Sequence, residues 1–184
     1  LKKLSLISAL MFLLVGLSGC QQNNQVDYET EAEVIDGDFI YRLSTEKAAY
    51  GNDEPVTIYA ELEYTDDQEE IEITHAASPF SFPMVEKTRN YEIEYFMHEP
   101  LVFTTLTRGE PLREEYSGGQ ITYNYNDEEE YKAFLEQFTD QKFPEGHYVV
   151  TGIADFNVPD NEGPGEDIEY NIRAEIEFSV HDRN

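Results

Sequence analysis

The run from Ile168 to Val180 constrains this chain more than any other stretch. Ile168, Tyr170, Ile172, Ala174, Ile176, Phe178 and Val180 alternate with Glu169, Asn171, Arg173, Glu175, Glu177 and Ser179. Successive side chains on a strand point to opposite faces, so strict alternation describes one buried and one wet face, as in antiparallel sheets. The same period recurs upstream. Phe39, Tyr41 and Leu43 form one row, Val56, Ile58, Ala60, Leu62 and Tyr64 another. Ile71 and Ile73 stand between Glu70, Glu72 and Thr74, and Tyr91, Ile93 and Tyr95 flank Glu92 and Glu94. Ile121, Tyr123 and Tyr125 repeat the pattern after Ser117-Gly118-Gly119. Turn residues separate the runs at Gly51-Asn52-Asp53-Glu54-Pro55, Asp66-Asp67, Arg108-Gly109-Glu110-Pro111 and Asn161-Glu162-Gly163-Pro164-Gly165.

One segment has a different period. Tyr131, Phe134, Leu135 and Phe138 fall on a single helical face, and Glu128 to Glu130 suit a helix start. Asn126 as N-cap with Glu129 three residues on predicts a short amphipathic helix near 127–139. Seven to nine strands and one helix predict a mainly β chain, an immunoglobulin-like antiparallel β-sandwich. The chain has no Trp and a single Cys, so the Cys…Trp…Cys mark of antibody domains is absent and the term describes architecture only.

A length of 184 residues suits one domain, with enough buried surface to stand without a disulfide. Twelve Lys and Arg face 39 Asp and Glu, a net charge of −27. Such a field repels phosphate backbones and anionic headgroups, which argues against nucleic acid as a partner and against electrostatic docking on a membrane. Its plain reading is a solvated acidic surface.

The first twenty residues carry an address. Lys2 and Lys3 precede an uncharged stretch from Leu4 to Leu17, too short for a spanning helix and suited to a signal peptide. Leu17-Ser18-Gly19-Cys20 then resembles the lipobox of bacterial lipoproteins. The resemblance implies a diacylglycerol thioether on Cys20, cleavage before it, and a domain held at the extracytoplasmic face of the cell membrane by lipid (palmitate-type) chains. Two acyl chains hold a protein firmly where one does not. Loss of Lys2 and Lys3 with the leader leaves 10 cations against 39 acids, or −29. The expected organisation is a leader over 1–19, a lipidated Cys20 with a polar flexible tether over 20–37, and one domain over 38–184.

A second resemblance is looser. Tyr50-Gly51-Asn52-Asp53-Glu54-Pro55-Val56-Thr57-Ile58 and Phe143-Pro144-Glu145-Gly146-His147-Tyr148-Val149-Val150 are similar to turn-and-strand patterns in Bacillus intracellular proteinase inhibitor-type sandwich domains and other surface β-modules. This implies a sandwich over about 38–158 and raises inhibition or regulation of an extracytoplasmic protease. No position matches an inhibitor's reactive residues.

The sequence offers little catalytic chemistry. His75, His98, His147 and His181 are not at metal-ligand spacing, no G-x-S-x-G or phosphate loop is present, and Ser117-Gly118-Gly119 reads as a turn. No catalytic residue and no cofactor are expected. Asp155, Asn157 and Glu166 occupy positions 1, 3 and 12 of an EF-hand-like loop, but Pro159 and Asp160 break it. Asp160, Glu162, Glu166 and Asp167 remain a looser calcium candidate, set against an acidic hairpin loop. The stretch His75 to Val85 has two prolines and two phenylalanines. Phe80, Phe82 and Met84 either present an apolar interaction loop or tuck beneath it as core, the commoner fate of such aromatics. The functional expectation is a non-enzymatic surface module, anchored through lipid on Cys20, that binds an envelope protein or other envelope component. The protease inhibitor is the alternative.

Overall fold

A computed structural model describes residues 28–118, 122–138, 141–159 and 167–182. The alternating run forms β12 (Ile168–His181), which pairs along its length with β11 (Gly146–Val158) in an antiparallel ladder from Gly146 opposite Val180 to Val158 opposite Ile168. Inward residues Ile172, Ala174, Ile176, Phe178 and Val180 are buried, as the alternation predicts. Pro144-Glu145-Gly146 opens β11, where the Phe143–Val150 pattern places a strand start.

This hairpin is the middle of one sheet. β3 (Ala49–Gly51) pairs with β12, while β5 (Glu70–His75) pairs with the far end of β11 and with β9 (Val102–Thr107). The second sheet has the order β1 (Glu31–Asp36), β2 (Phe39–Thr45), β4 (Ile58–Tyr64), β10 (Leu112–Glu115). All pairings are antiparallel except β3 with β12, a three-residue parallel stretch opposite Ser179–His181. Among the described residues the architecture is therefore mainly β, with two sheets and one short helix.

Three stretches differ from the sequence expectation, and a fourth takes the buried one of its two readings. The domain begins before residue 38, because β1 pairs with β2 through a two-residue loop, Gly37-Asp38. Gly37 has φ +56°, the backbone that tight hairpin turns demand and that glycine adopts freely. β1 is an edge strand with only Ala32 and Val34 half-buried, so its composition is polar enough to resemble a tether.

The helix is shorter than expected, α1 (Glu129–Leu135), and Glu128 replaces Asn126 at the N-cap without a capping side-chain bond. Seven residues cannot hold a helix by propensity alone. Packing does so, through buried Phe134 and Leu135 and ring contacts from Tyr131 and Phe134 to Tyr91 and from Phe138 to Phe143.

The expected strand over 121–125 is absent from its described part. Asp127 N–H donates to the Asn124 carbonyl and Asn124 N–H to the Asp127 carboxylate, a local turn that competes with strand pairing. Tyr125 is consequently 93% exposed.

Finally, Phe80, Phe82 and Met84 are all buried and present no apolar loop. They lie on or between β6 (Phe80–Ser81) and β7 (Met84–Glu86), which lie along β11 in one unbroken register, Phe80 opposite Ala154 and Met84 opposite Val150. Pro83 interrupts the strand but not the alignment: its carbonyl still accepts from Thr151 N–H at 2.9 Å. The short β8 (Tyr91–Ile93) completes this flank against β7.

The sheets approach closely at Gly152, where a Cβ would lie 2.5 Å from the Tyr41 hydroxyl and 2.6 Å from a Leu43 methyl. Glycine at this position makes room for a tyrosine on the opposing sheet. Beside it, Phe143, Tyr148 and Phe178 form an aromatic cluster, with the Tyr148 hydroxyl donating to the Pro144 carbonyl at 2.7 Å.

Candidate ligand-binding groove

A groove of about 420 Å³ opens where β5 separates from β11. Thr74 pairs with Asn157 and Phe80 with Ala154, so five residues, 75–79, stand opposite two, 155 and 156. The surplus chain must leave the sheet, and it forms one wall. Ser78 pins its return: its hydroxyl accepts from Phe80 N–H at 2.9 Å and donates to the Glu114 carboxylate at 2.7 Å. Ala77 N–H donates to the His98 carbonyl, tying the wall to the segment that enters β9. Met97, Glu99, Pro100 and Leu101 on that segment make the opposite wall.

Fully buried Phe80 and Phe156 make the floor apolar. His75 stands in the wall with both nitrogens engaged. Because a carbonyl only accepts, Nδ1–H donates to the Ala76 carbonyl at 2.8 Å, and in the neutral ring Nε2 accepts from the Thr104 hydroxyl at 2.8 Å. The ring is thereby oriented as structure. The groove's other polar lining residues are Ser78, Ser81 and Asn157, which can both donate and accept, and the acids Glu99 and Asp155; the Asp155 carboxylate accepts from Asn171 on β12 at 3.1 Å. Pro79 adds a backbone acceptor: Asp155 N–H donates to the Pro79 carbonyl at 2.8 Å, but proline has no N–H to return to the Asp155 carbonyl. Among the described residues no Lys or Arg lines the groove, and Arg173 reaches Asn171.

The structure scatters most residues the sequence singled out. Cys20, Asp160, Glu162 and Glu166 lie outside the described residues, and Asp167 is exposed ahead of β12. His147 bonds the Glu177 carboxylate and stacks on Tyr28, while His181 bonds the Ser179 hydroxyl. Tyr95 is half-buried against Phe82 and Tyr116 as core. Among the described residues no three His, Cys, Asp or Glu side chains stand together as a metal site. Nor, among these residues, is any helix long and apolar enough to cross a membrane. Of Phe80, Phe82 and Met84, Phe80 alone lines the groove, from beneath. Glu99 and Leu101 were not legible as site residues, although Pro79 and Pro100 mark where the walls leave the sheet.

A buried carboxylate away from the groove has a structural role. Glu86 is fully buried and accepts from Thr88 N–H, Arg89 N–H and His147 N–H, with the Arg89 guanidinium at 3.2 Å. Burial pushes its pKa up, but the hydrogen bonds from Thr88 and Arg89 outweigh that and hold it below the usual carboxylate value. It fastens the β7–β8 turn to the start of β11.

No protein-family model, curated protein or solved structure matches this chain.

Proposed function

We propose that this chain is a non-enzymatic binding module, held at the extracytoplasmic face of a membrane through lipid on Cys20, that takes its ligand in the groove between 75–79 and 97–101. The observation that carries the binding role is the groove itself, an apolar floor with a small number of polar and acidic residues on its walls, the usual composition of a ligand site. The lipobox-like Leu17-Ser18-Gly19-Cys20 supports the anchor. Strand order supports the immunoglobulin-like reading of the sandwich: β2, β4 and β10 follow the order of strands A, B and E, and β5, β11 and β12 that of C, F and G.

Two measurements test the proposal. Fractionating cells that carry the chain or its Cys20→Ala variant should place the first with membranes and release the second or leave it uncleaved; unchanged anchoring refutes the lipid tether. For the groove, the full chain in a non-ionic detergent is titrated with benzylamine and with benzoate. At the ligand efficiency of modest fragments, an eight-atom cation should bind with a Kd of about 1–20 mM. Benzylamine should shift the resonances of His75, Leu101 and Asn157 while benzoate does not. Equal response to both, or to neither, removes the groove as a cation-preferring site.

A further inference from the structure

We infer that the groove's occupant is an extended, basic segment of another protein, which adds as a strand to the free edge of β9 and sets a cationic side chain against Glu99 and Asp155. This rests on the groove reading above and adds the class of ligand and its mode of binding. Among the described residues β9 ends its sheet: β5 pairs with one side of it and no strand lies on the other. Exposed edges usually carry guards, a lysine, a proline or a bulge, that discourage further pairing. β9 reads Val-Phe-Thr-Thr-Leu-Thr, five of its six residues strand-favouring, with no charge, no proline and no glycine. Such an edge is a template for strand addition, in which main-chain bonds give affinity and side-chain pockets give selectivity.

The groove lies at the start of that edge, since Leu101 and Pro100 line it and lead directly into Val102. Leu101 is 70% exposed and Phe103 58%, so an added strand has apolar surface to cover. Charge decides what kind of strand fits. Two acids, Glu99 and Asp155, and an unreciprocated carbonyl belong to the groove, no Lys or Arg lines it among the described residues, and Glu72 and Glu70 stand across from Thr105 and Thr107 on the neighbouring strand. A guanidinium or ammonium with several N–H groups fits these acceptors, and an acidic strand would be repelled. The same reasoning disfavours a second copy of this chain, whose net charge is −27.

The test uses the full chain in non-ionic detergent and the acetylated, amidated peptide Val-Thr-Arg-Phe-Thr-Val labelled with a fluorophore. Anisotropy should show saturable binding, weakened at least about tenfold when Glu replaces the peptide's Arg. Methylating alternate peptide nitrogens, in either parity, removes the main-chain donors, and one of the two should weaken binding at least about tenfold. Bound peptide should slow hydrogen exchange across Val102–Thr107. Phe103→Glu, at an exposed site, should reduce binding, whereas Ile35→Glu on the other sheet should not. Binding that survives both methylation patterns, or leaves β9 exchange unchanged, overturns strand addition. Absence of peptide binding while benzylamine still shifts the groove overturns it and leaves the groove standing. Failure of both probes removes the groove as well. A β9-dependent dimer in light scattering would replace the basic partner with a second copy.

Discussion

The same substitution at two buried tyrosines should change stability in opposite directions. Tyr41 and Tyr148 are both fully buried, yet the Tyr148 hydroxyl donates to the Pro144 carbonyl at 2.7 Å while the Tyr41 hydroxyl has no partner. A buried hydroxyl without a hydrogen bond costs about 1–3 kcal/mol, so Tyr41→Phe removes a penalty and should stabilise by about 1–2 kcal/mol once a small void is allowed for. Tyr148→Phe instead strands the Pro144 carbonyl and should destabilise by about 1–3 kcal/mol. Urea unfolding at neutral pH reads both as midpoint shifts at constant m-value, and each kcal/mol should move Tm by about 2–4 °C at this chain length. Gly152→Ala supplies a second handle, because its Cβ meets the Tyr41 hydroxyl at 2.5 Å and Leu43 methyls at 2.6 and 2.8 Å. Alone it should cost about 1–3 kcal/mol by overpacking. In the Tyr41→Phe background part of that loss should disappear, a coupling of about 0.5 kcal/mol or more. A neutral or destabilising Tyr41→Phe would refute the argument, since it would mean that the hydroxyl is satisfied within the core.

Glu86→Ala should destabilise by about 3–5 kcal/mol because it leaves several buried donors unpaired, and Glu86→Gln by less, both read by urea unfolding. Since the folded pKa of Glu86 lies below its unfolded value, its contribution is present above the unfolded pKa and is lost as pH falls through the folded pKa. Glu86→Gln should flatten that acid limb; an unchanged limb contradicts the assignment. Burial raises the phenols of Tyr41, Tyr116 and Tyr148, so each favours folding fully below the unfolded pKa near 10 and loses that contribution as pH rises toward its folded value. Stability should therefore fall above about pH 10, by up to about 1.4 kcal/mol per pH unit for each tyrosine, with a shallower slope in the Phe variants. Arg42 bridges Glu33 on β1 and Glu63 on β4, both at 2.7 Å and partly exposed. Arg42→Ala should cost no more than about 1 kcal/mol and less in high salt, measured by thermal melts; a larger loss would mean the pair is not solvent-screened.

Most of the strands with a full row of buried residues were legible in the sequence. β2, β4 and β12 each bury one face against the other sheet, so alternation between wet and dry positions is imposed along their length, whereas of β11 only the start was legible, from the Phe143–Val150 pattern. Edge strands escape that constraint. β9 buries only Leu106, and β1 and β10 have no fully buried residue, so their composition records solvent as much as pairing. The sequence reading places β1 in the tether, although Gly37 separates the weak pair Ala32, Val34 from the strong row starting at Phe39. In the opposite direction, Tyr123 and Tyr125 alternate in sequence but are claimed by the Asn124–Asp127 turn before any strand can recruit them. The groove was hidden for a different reason. It arises from unequal numbers of residues between two cross-strand pairs, and such a register offset can be counted only once the pairing is known.

The way β1 enters the fold has a mechanical consequence. Immediately before it, the chain is bonded to both layers: Thr30 accepts from Thr45 N–H at the edge of one sheet, and Glu29 accepts from Glu177 N–H at the edge of the other. A pull arriving through residues ahead of Tyr28 along the axis of β1 therefore loads the six-pair β1–β2 ladder in shear, with all its rungs sharing the force. The same pull is passed across the sandwich to β12. Force on the leading segment is thus divided between the two sheets at the point of entry, so tension applied there is borne without one sheet being unzipped from its end.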